Sequence, residues 1–365
     1  MPLAVPEVTG REHTEAGREL AAYNRGAGGK MATERNMGRG ADEAEVEDAA
    51  LPSDVFDMPE LAEAEAVVSP AEARFFIDNG FLVKRGLIGE AALGEAMDRV
   101  WTHFGERVPM ADDAPAVDRE QPDSWRSPEW GEMPPADTSG AFEGRQRVVY
   151  AGTTVKLHEL GAASFLKRLV PNHPAVRGVA EALLGPDLRP STRTRGVYAI
   201  FPRESPAVGR LGPHTDQVCQ QLNVCVYLDD VPPRSGGFTV YPGSHRIMFQ
   251  AHETEANWSP HTGYRDAIRK VAKEIRPVEF AGPAGTVIFW HGRTVHSSGI
   301  HTGDRIRWAV FADFTQNRET LSPDEHRAVG QFEWFKDTEL FRHDRAVGEG
   351  MWRGWNVERL ADEEE

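Results

Sequence analysis

Hydrophobic residues are not spread evenly along the chain. Residues 1 to 66 are rich in Ala, Gly and Glu and poor in aromatics. That stretch reads as a disordered acidic leader, with a short helix near Glu43 to Ala50 as the alternative. Periodic structure starts at Ser69-Pro70-Ala71-Glu72, a capping box with proline at the first helical position. The predicted helix carries Phe75, Phe76 and Ile77 and stops at Gly80, and Phe81-Leu82-Val83-Lys84 reads as a short strand. Leu93, Met97, Val100, Trp101 and Phe104 then recur at spacings of three and four, which predicts a second helix with a core-facing stripe. Residues 105–147 show no clean period and many Pro, Asp and Trp, the texture of a lid or binding segment. Helices are expected again at 162–170 and 174–184, the latter ending at Gly185.

Beyond Gly185 the texture changes. Strand-like runs fall at Arg195–Phe201, Gln220–Leu228, Gly237–Tyr241, Arg276–Phe280, Thr286–Trp290 and Arg305–Phe314, separated by Gly, Pro and Asp clusters. Helices first and strands second predict an α+β, mainly β chain: an antiparallel core, closed or sandwich-like, with N-terminal helices packed on one side. The expected divisions are the leader at 1–66, one domain at 67–318, and an extension at 319–365. Trp334, Phe335, Trp352 and Trp355 suggest that the extension docks on the domain or a partner. Residues 246–275 are expected to be irregular and, with 105–147, to carry specificity.

Charge and cysteine content narrow the function. A net charge of -16 with no concentrated basic surface argues against nucleic acid. No apolar run is long enough to span a membrane, and the N-terminus lacks the pattern of a secretory signal, so a cytoplasmic location is expected. Cys219 and Cys225, about 20 Å apart if extended, are read as free thiols in a reducing compartment.

The chemistry centres on Pro213-His214-Thr215-Asp216. In an extended segment side chains at i and i+2 leave the same face, so the His214 imidazole and the Asp216 carboxylate can reach one metal ion. His13-Thr14-Glu15 has a similar pattern and reads as a chance occurrence. The best third ligand is His296, in the run from Phe289 to Gly299. Two His and one carboxylate on one face of an octahedron is the arrangement of non-haem Fe(II) oxygenases, with positions left for co-substrate and oxygen. His291 and His245 are read as structural: His291 is five residues before His296 and faces the other way on a strand, and His245 follows a Pro-Gly turn.

Five segments, in order, resemble the phytanoyl-CoA dioxygenase family of Fe(II)- and 2-oxoglutarate-dependent oxygenases. They are the helix-glycine-strand entry at Phe75 to Ile88, the helix at His173 to Pro186, the metal motif at Pro213 to Asp216, the turn Tyr241-Pro242-Gly243-Ser244-His245, and the strand from Ala284 to His296. Pro213 stands where the family often has Trp, and Ser235-Gly236-Gly237 replaces its common Asn-Gly pair. The resemblance implies a double-stranded β-helix, or jelly roll, with Fe(II) held by His214, Asp216 and His296 and with 2-oxoglutarate and O2 as co-substrates. It also implies Arg307 as the anchor of the distal 2-oxoglutarate carboxylate, Arg305 being the other candidate, with Ser298 and Tyr227 contacting the co-substrate. A planar guanidinium suits that task, because it binds carboxylate through two parallel hydrogen bonds and stays charged. The implied reaction is hydroxylation of a small molecule with release of succinate and CO2. Alternatives are a silent barrel that binds or senses a ligand, and a cupin-type metalloenzyme that uses no 2-oxoglutarate. Arg193, Arg195 and Arg203 surround the strand before the metal motif and are read mainly as surface charge, the alternative being that one faces the cavity and binds an acidic substrate.

Overall fold

The computed structural model describes residues 68–108, 110, 112, 116–126, 148–151, 154–202, 212–216, 221–251, 264–317, 351–352 and 354–363. The expected leader, most of the 105–147 loop, Cys219, Arg203, Trp334 and Phe335 lie outside these residues.

Local signals act where the sequence places them. Helix α1 spans Pro70–Asn79. The Ser69 hydroxyl accepts from the Glu72 N–H at 3.2 Å, and the Ser69 N–H donates to the Glu72 carboxylate at 2.9 Å. Gly80 ends the helix at φ 77, and its position does a second job. Its carbonyl accepts from the His291 N–H and the Thr294 hydroxyl, so the turn is stitched to a distant strand end. Strand β1 (Phe81–Lys84) follows, then α2 (Glu90–Arg107), α3 (Ser164–Leu169) and α4 (Pro174–Leu184).

Two features differ from the sequence expectation. Strands β2 (Val148–Ala151) and β3 (Thr154–Leu157) form a hairpin that the hydrophobic pattern did not announce, since four residues are too few to show a period. Within the segment expected to be irregular, Ser244–Ala251 forms α5 and Tyr264–Glu274 forms α6. Ala267, Ile268 and Val271 of α6 pack with Met248 and Val295, while Asp266, Arg269, Lys270, Lys273 and Glu274 are among its charged positions.

The remaining strands are β4 (Gly196–Ile200), β5 (Leu222–Tyr227), β6 (Phe238–Val240), β7 (Val278–Glu279), β8 (Val287–His291), β9 (His296–Ser298) and β10 (Arg307–Phe314). A seven-stranded antiparallel sheet runs β1-β8-β5-β10-β4-β3-β2, and a smaller one runs β7-β6-β9. Register assigns the two faces of the large sheet. Tyr198, Ala309 and Tyr227 are opposite one another across β4, β10 and β5, and Lys156 of β3 is opposite Tyr198. Arg307, Phe311 and Asp313 alternate with Ala309 on that same face, as do Cys225 and Asn223 with Tyr227. The small sheet packs here, with Phe238 against Trp290 at 4.5 Å between ring centroids. The opposite face carries Val197, Val224, Val226, Phe289, Trp308 and Val310 and is covered by helices. Two facing antiparallel sheets with helices outside one of them make this a mainly β fold of the jelly-roll kind.

Helix α7 (Val357–Ala361) and the turn before it lie against α1 and α4. Trp352 and Trp355 pack on Phe76, and the Trp355 ring stacks on His291 at 5.2 Å. His291 therefore points away from the inter-sheet space. The His245 ring bonds to the Ile77 carbonyl at 3.1 Å and ties α5 to α1.

Candidate active site

The space between the two sheets holds the expected residues. His214 is bridged to His296 by a reciprocal backbone pair, with N–H to carbonyl distances of 3.0 and 2.8 Å. This fixes residue 214 beside the first residue of β9, and the two imidazoles lie 4.5 Å apart between centroids. Each ring is oriented in the same way. Nδ1 of His214 is 2.8 Å from the Gly212 carbonyl, and Nδ1 of His296 is 3.0 Å from the Thr294 carbonyl. A carbonyl only accepts, so both Nδ1 atoms carry the proton and both Nε2 lone pairs face the site. Asp216 completes the group, with Oδ1 3.6 Å from His296 Nε2. One donor atom from each of His214, Asp216 and His296 lies within 4.8 Å of the others.

Electrostatics keep these donors in ligating form. Burial, reinforced by His296, pushes the His214 imidazole down to about 4, so it is neutral at physiological pH. Burial works to raise the Asp216 carboxyl, but Arg195 and His296 beside it hold it well below the usual carboxylate range.

Arg307 and Arg305 part company. Arg307 opens β10 and is 4% exposed; its Nε donates to the Gly236 carbonyl at 3.0 Å, while its Nη1 has no hydrogen-bond partner among the described residues. No carboxylate among the described residues lies within ion-pair distance of it. Arg305 precedes the strand, is half exposed and sits 3.9 Å from Asp229. Ser298 lies two residues after His296 on β9, hence on the same side, and is nearly buried. Tyr227 is fully buried next to Arg307, but its hydroxyl is occupied. It donates to the Phe280 carbonyl and accepts from the Phe238 N–H, both at 2.8 Å, joining β5 to the small sheet.

Two further cations face this space: Lys156, which the sequence did not mark, and Arg195, one of the three arginines around β4 considered for it. Lys156 of β3 stands 5.0 Å from the Tyr198 ring centroid and makes no ion pair with a described residue. Burial lowers its ammonium, with Asp216 opposing. Arg195, expected as surface charge, bonds Asp216, Asp313 and Asn223. The only available signal was its place one residue before β4. Asn223 Nδ2 and Trp290 Nε1, opposite each other on β5 and β8, are buried donors without partners among the described residues.

Facing sheets with two imidazoles and one carboxylate at their junction form a group that could hold one metal ion, as the facial triads of non-haem metal proteins do. More particularly, the chain belongs to the phytanoyl-CoA dioxygenase (PhyH) family, whose model matches residues 76–309. This is a family of Fe(II)- and 2-oxoglutarate-dependent oxygenases. L-proline trans-4-hydroxylase of Streptomyces griseoviridis is 26% identical over 115 residues, which are 28% of this chain and 42% of that enzyme. The match thus spans less than half the length of this curated relative. Among solved structures, the α-ketoglutarate-dependent epimerase SnoN of nogalamycin biosynthesis is 19% identical, covering 67% of this chain and 81% of its own, with a TM-score of 0.42. The carbocyclase SnoK of the same biosynthesis is 16% identical, covering 73% and 93%, at 0.45. EctD from S. alaskensis is 15% identical, covering 70% and 79%, at 0.42. Likeness at this level says nothing about the reaction of this chain.

Proposed function

We propose that the protein is an Fe(II)- and 2-oxoglutarate-dependent dioxygenase that hydroxylates a small molecule. The observation that carries the reading is a donor set beside an unsatisfied cation. His214, Asp216 and His296 offer their atoms within 4.8 Å of one another, and Arg307, on the same interior face, keeps a buried Nη1 without a partner. Imidazole nitrogens plus one carboxylate oxygen suit Fe(II) and leave positions free. A buried guanidinium with a spare donor suits a carboxylate, and Lys156 adds a second cation for a co-substrate that is a dianion.

In this reading His214, Asp216 and His296 hold Fe(II), and Arg307 grips the distal carboxylate of 2-oxoglutarate. Ser298 and the Tyr227 ring flank the co-substrate. When bound, Fe(II) and 2-oxoglutarate supply the oxidation: with O2, the keto acid is converted to succinate and CO2 while a substrate C–H bond is hydroxylated. The protein orients these groups and keeps the site dry. A substrate screen begins with free amino acids, because one relative is named a proline hydroxylase.

The test is an anaerobic titration with Fe(II) and 2-oxoglutarate, following the visible charge-transfer band of the chelate. The band forms in the wild type and is lost in Asp216→Ala. Iron binding without any band in the folded wild type would refute the assignment.

A further inference from the structure

Arg195 does more than neutralise charge. Its Nη1 donates to Asp216 Oδ2 at 2.6 Å, while Asp216 Oδ1 lies 3.6 Å from His296 Nε2. The two oxygens of the carboxylate are thus divided, one to a guanidinium and one to the histidines. The guanidinium is in turn fixed from behind. Nε donates to Asp313 Oδ2 at 3.0 Å, Nη2 donates to Asn223 Oδ1 at 2.9 Å, and Nη2 also bonds Asp313 Oδ1. Asp313 and Asn223 are opposite each other on β10 and β5, at the centre of the large sheet. The backbone of Arg195 is held as well: its N–H donates to the Phe311 carbonyl, and its carbonyl accepts from His158. Asp216 itself lies outside the strands, on the segment that carries His214.

We infer that Arg195 is a positioning residue for the metal site, anchored on Asp313 and Asn223, and that it presents Asp216 to the metal through one oxygen only. This rests on the reading of His214, Asp216 and His296 as metal ligands. A carboxylate restrained in this way cannot close on the metal with both oxygens, so it uses one coordination position and leaves the others for co-substrate and oxygen. Outer partners that orient metal ligands are worth about ten- to a hundredfold in metal affinity.

The sign of the effect separates positioning from simple charge. Removing a cation beside a dication site should by charge alone tighten metal binding. Loss of positioning loosens it. The experiment is a Mn(II) titration of the metal-free full chain, followed by the loss of the free-ion EPR signal, with thermal melts to verify folding. Arg195→Met is expected to weaken Mn(II) binding by about tenfold or more. Arg195→Lys restores the charge but not the planar fork, and stays weak; a role limited to charge or packing would be rescued by Lys. Asn223→Ala removes one anchor without changing any charge and weakens binding by about threefold, a fraction of the full outer-partner effect. It carries the test alone if Arg195→Met fails to fold. Binding as tight as the wild type in Arg195→Met, or in Asn223→Ala if that variant stands alone, overturns the inference. A wild type that binds Mn(II) yet gives no 2-oxoglutarate chelate with Fe(II) refutes the oxygenase reading and leaves the Arg195 result standing. A wild type that takes no divalent ion refutes the metal centre and the inference together.

Discussion

Replacing Arg307 with Met gives two opposite signatures that a merely structural arginine would not. Met is of similar length and apolar. In the ligand-free protein the wild-type guanidinium is 4% exposed, has one hydrogen bond to the Gly236 carbonyl, and keeps Nη1 unsatisfied. An unsatisfied buried donor costs about 1–3 kcal/mol, and the lost Nε bond contributed about 0.5–1.5 kcal/mol. These nearly cancel, so the stability of the ligand-free variant should stay within about 2 kcal/mol of the wild type. Binding responds differently. Two charge-assisted hydrogen bonds to a carboxylate are worth about 1.5–3 kcal/mol each. Their loss raises the 2-oxoglutarate Kd at least about a hundredfold, at tenfold per 1.4 kcal/mol. The assay is a thermal melt of the Fe(II)-loaded protein under anaerobic conditions, with and without 2-oxoglutarate. At a hundred times Kd the wild type gains about 2.7 kcal/mol, a rise of roughly 5–10 °C in Tm. The variant gains at most about 0.4 kcal/mol at the same concentration, a shift of roughly 1–2 °C. Arg305→Met, at a half-exposed residue 3.9 Å from Asp229, is the control and should bind normally. The assignment fails if Arg307→Met binds 2-oxoglutarate within about threefold of the wild type, against the hundredfold loss expected here. It fails equally if the variant loses stability by several kcal/mol while keeping the ligand shift.

Three further outcomes follow from buried contacts. Tyr227→Phe leaves the Phe238 N–H and the Phe280 carbonyl without their shared hydroxyl, and should cost about 2–4 kcal/mol in denaturant unfolding. Because the ring stays, 2-oxoglutarate affinity should not change; weaker binding at full stability would show that the hydroxyl serves the ligand. Gly80→Ala puts a Cβ 2.5 Å from His245 Nδ1 and 2.6 Å from the Thr294 hydroxyl at a φ of +77, and should destabilise by about 2–4 kcal/mol. A loss under 1 kcal/mol would mean the contact relaxes freely. Burial pushes the His245 imidazole down to about 4, and burial holds His291 below its ordinary value as well. The unfolded chain takes up these protons near pH 6.5 and the folded chain does not, so stability is full above pH 6.5 and declines as pH falls toward 4. The His245 share is about 3 kcal/mol. Urea melts between pH 7.5 and 4.5 should show the decline, and His245→Asn should reduce its slope; stability that is flat or rising toward pH 4.5 would contradict this.

How much of the fold could be read depended on how local the cause was. The Ser69 capping box, the Gly80 stop and the α2 stripe act within one turn of helix, and they stand where the residues place them. Strand faces were harder. All six residues of β5, Leu222–Tyr227, are buried; Asn223, Cys225 and Tyr227 alternate with Leu222, Val224 and Val226, but that pattern does not say which set meets the small sheet. Only the pairing of Tyr227 with Ala309 and Tyr198 assigns the faces, and that pairing joins residues far apart in sequence. Arg305 and Arg307 show the same limit. Spacing by two puts both on one face of an extended strand, but β10 begins at Arg307, so Arg305 is left outside.

The site divides along the same line. His214, Asp216 and His296 were legible because the first two are neighbours and the third sits in an apolar run. Lys156 was not, and Arg195 could not be told from Arg193 and Arg203, because a charge acquires meaning only from neighbours on other strands. With them in place the interior can be considered as a whole. Among the described residues, Lys156, Arg195 and Arg307 face Asp216, Asp313 and Glu279 in one electrostatically linked group. Three cations meet three carboxylates, and the histidine His214 beside them is held neutral. Among the described residues these charges cancel. They cancel again when a dication and a dianion are both present, but not with either alone. Under the proposed reading a bound Fe(II) would add two positive charges to a largely buried site, where charge interactions are stronger than in water. In that reading each ligand should therefore raise the affinity for the other by the same factor, with Lys156 and Arg307 serving both.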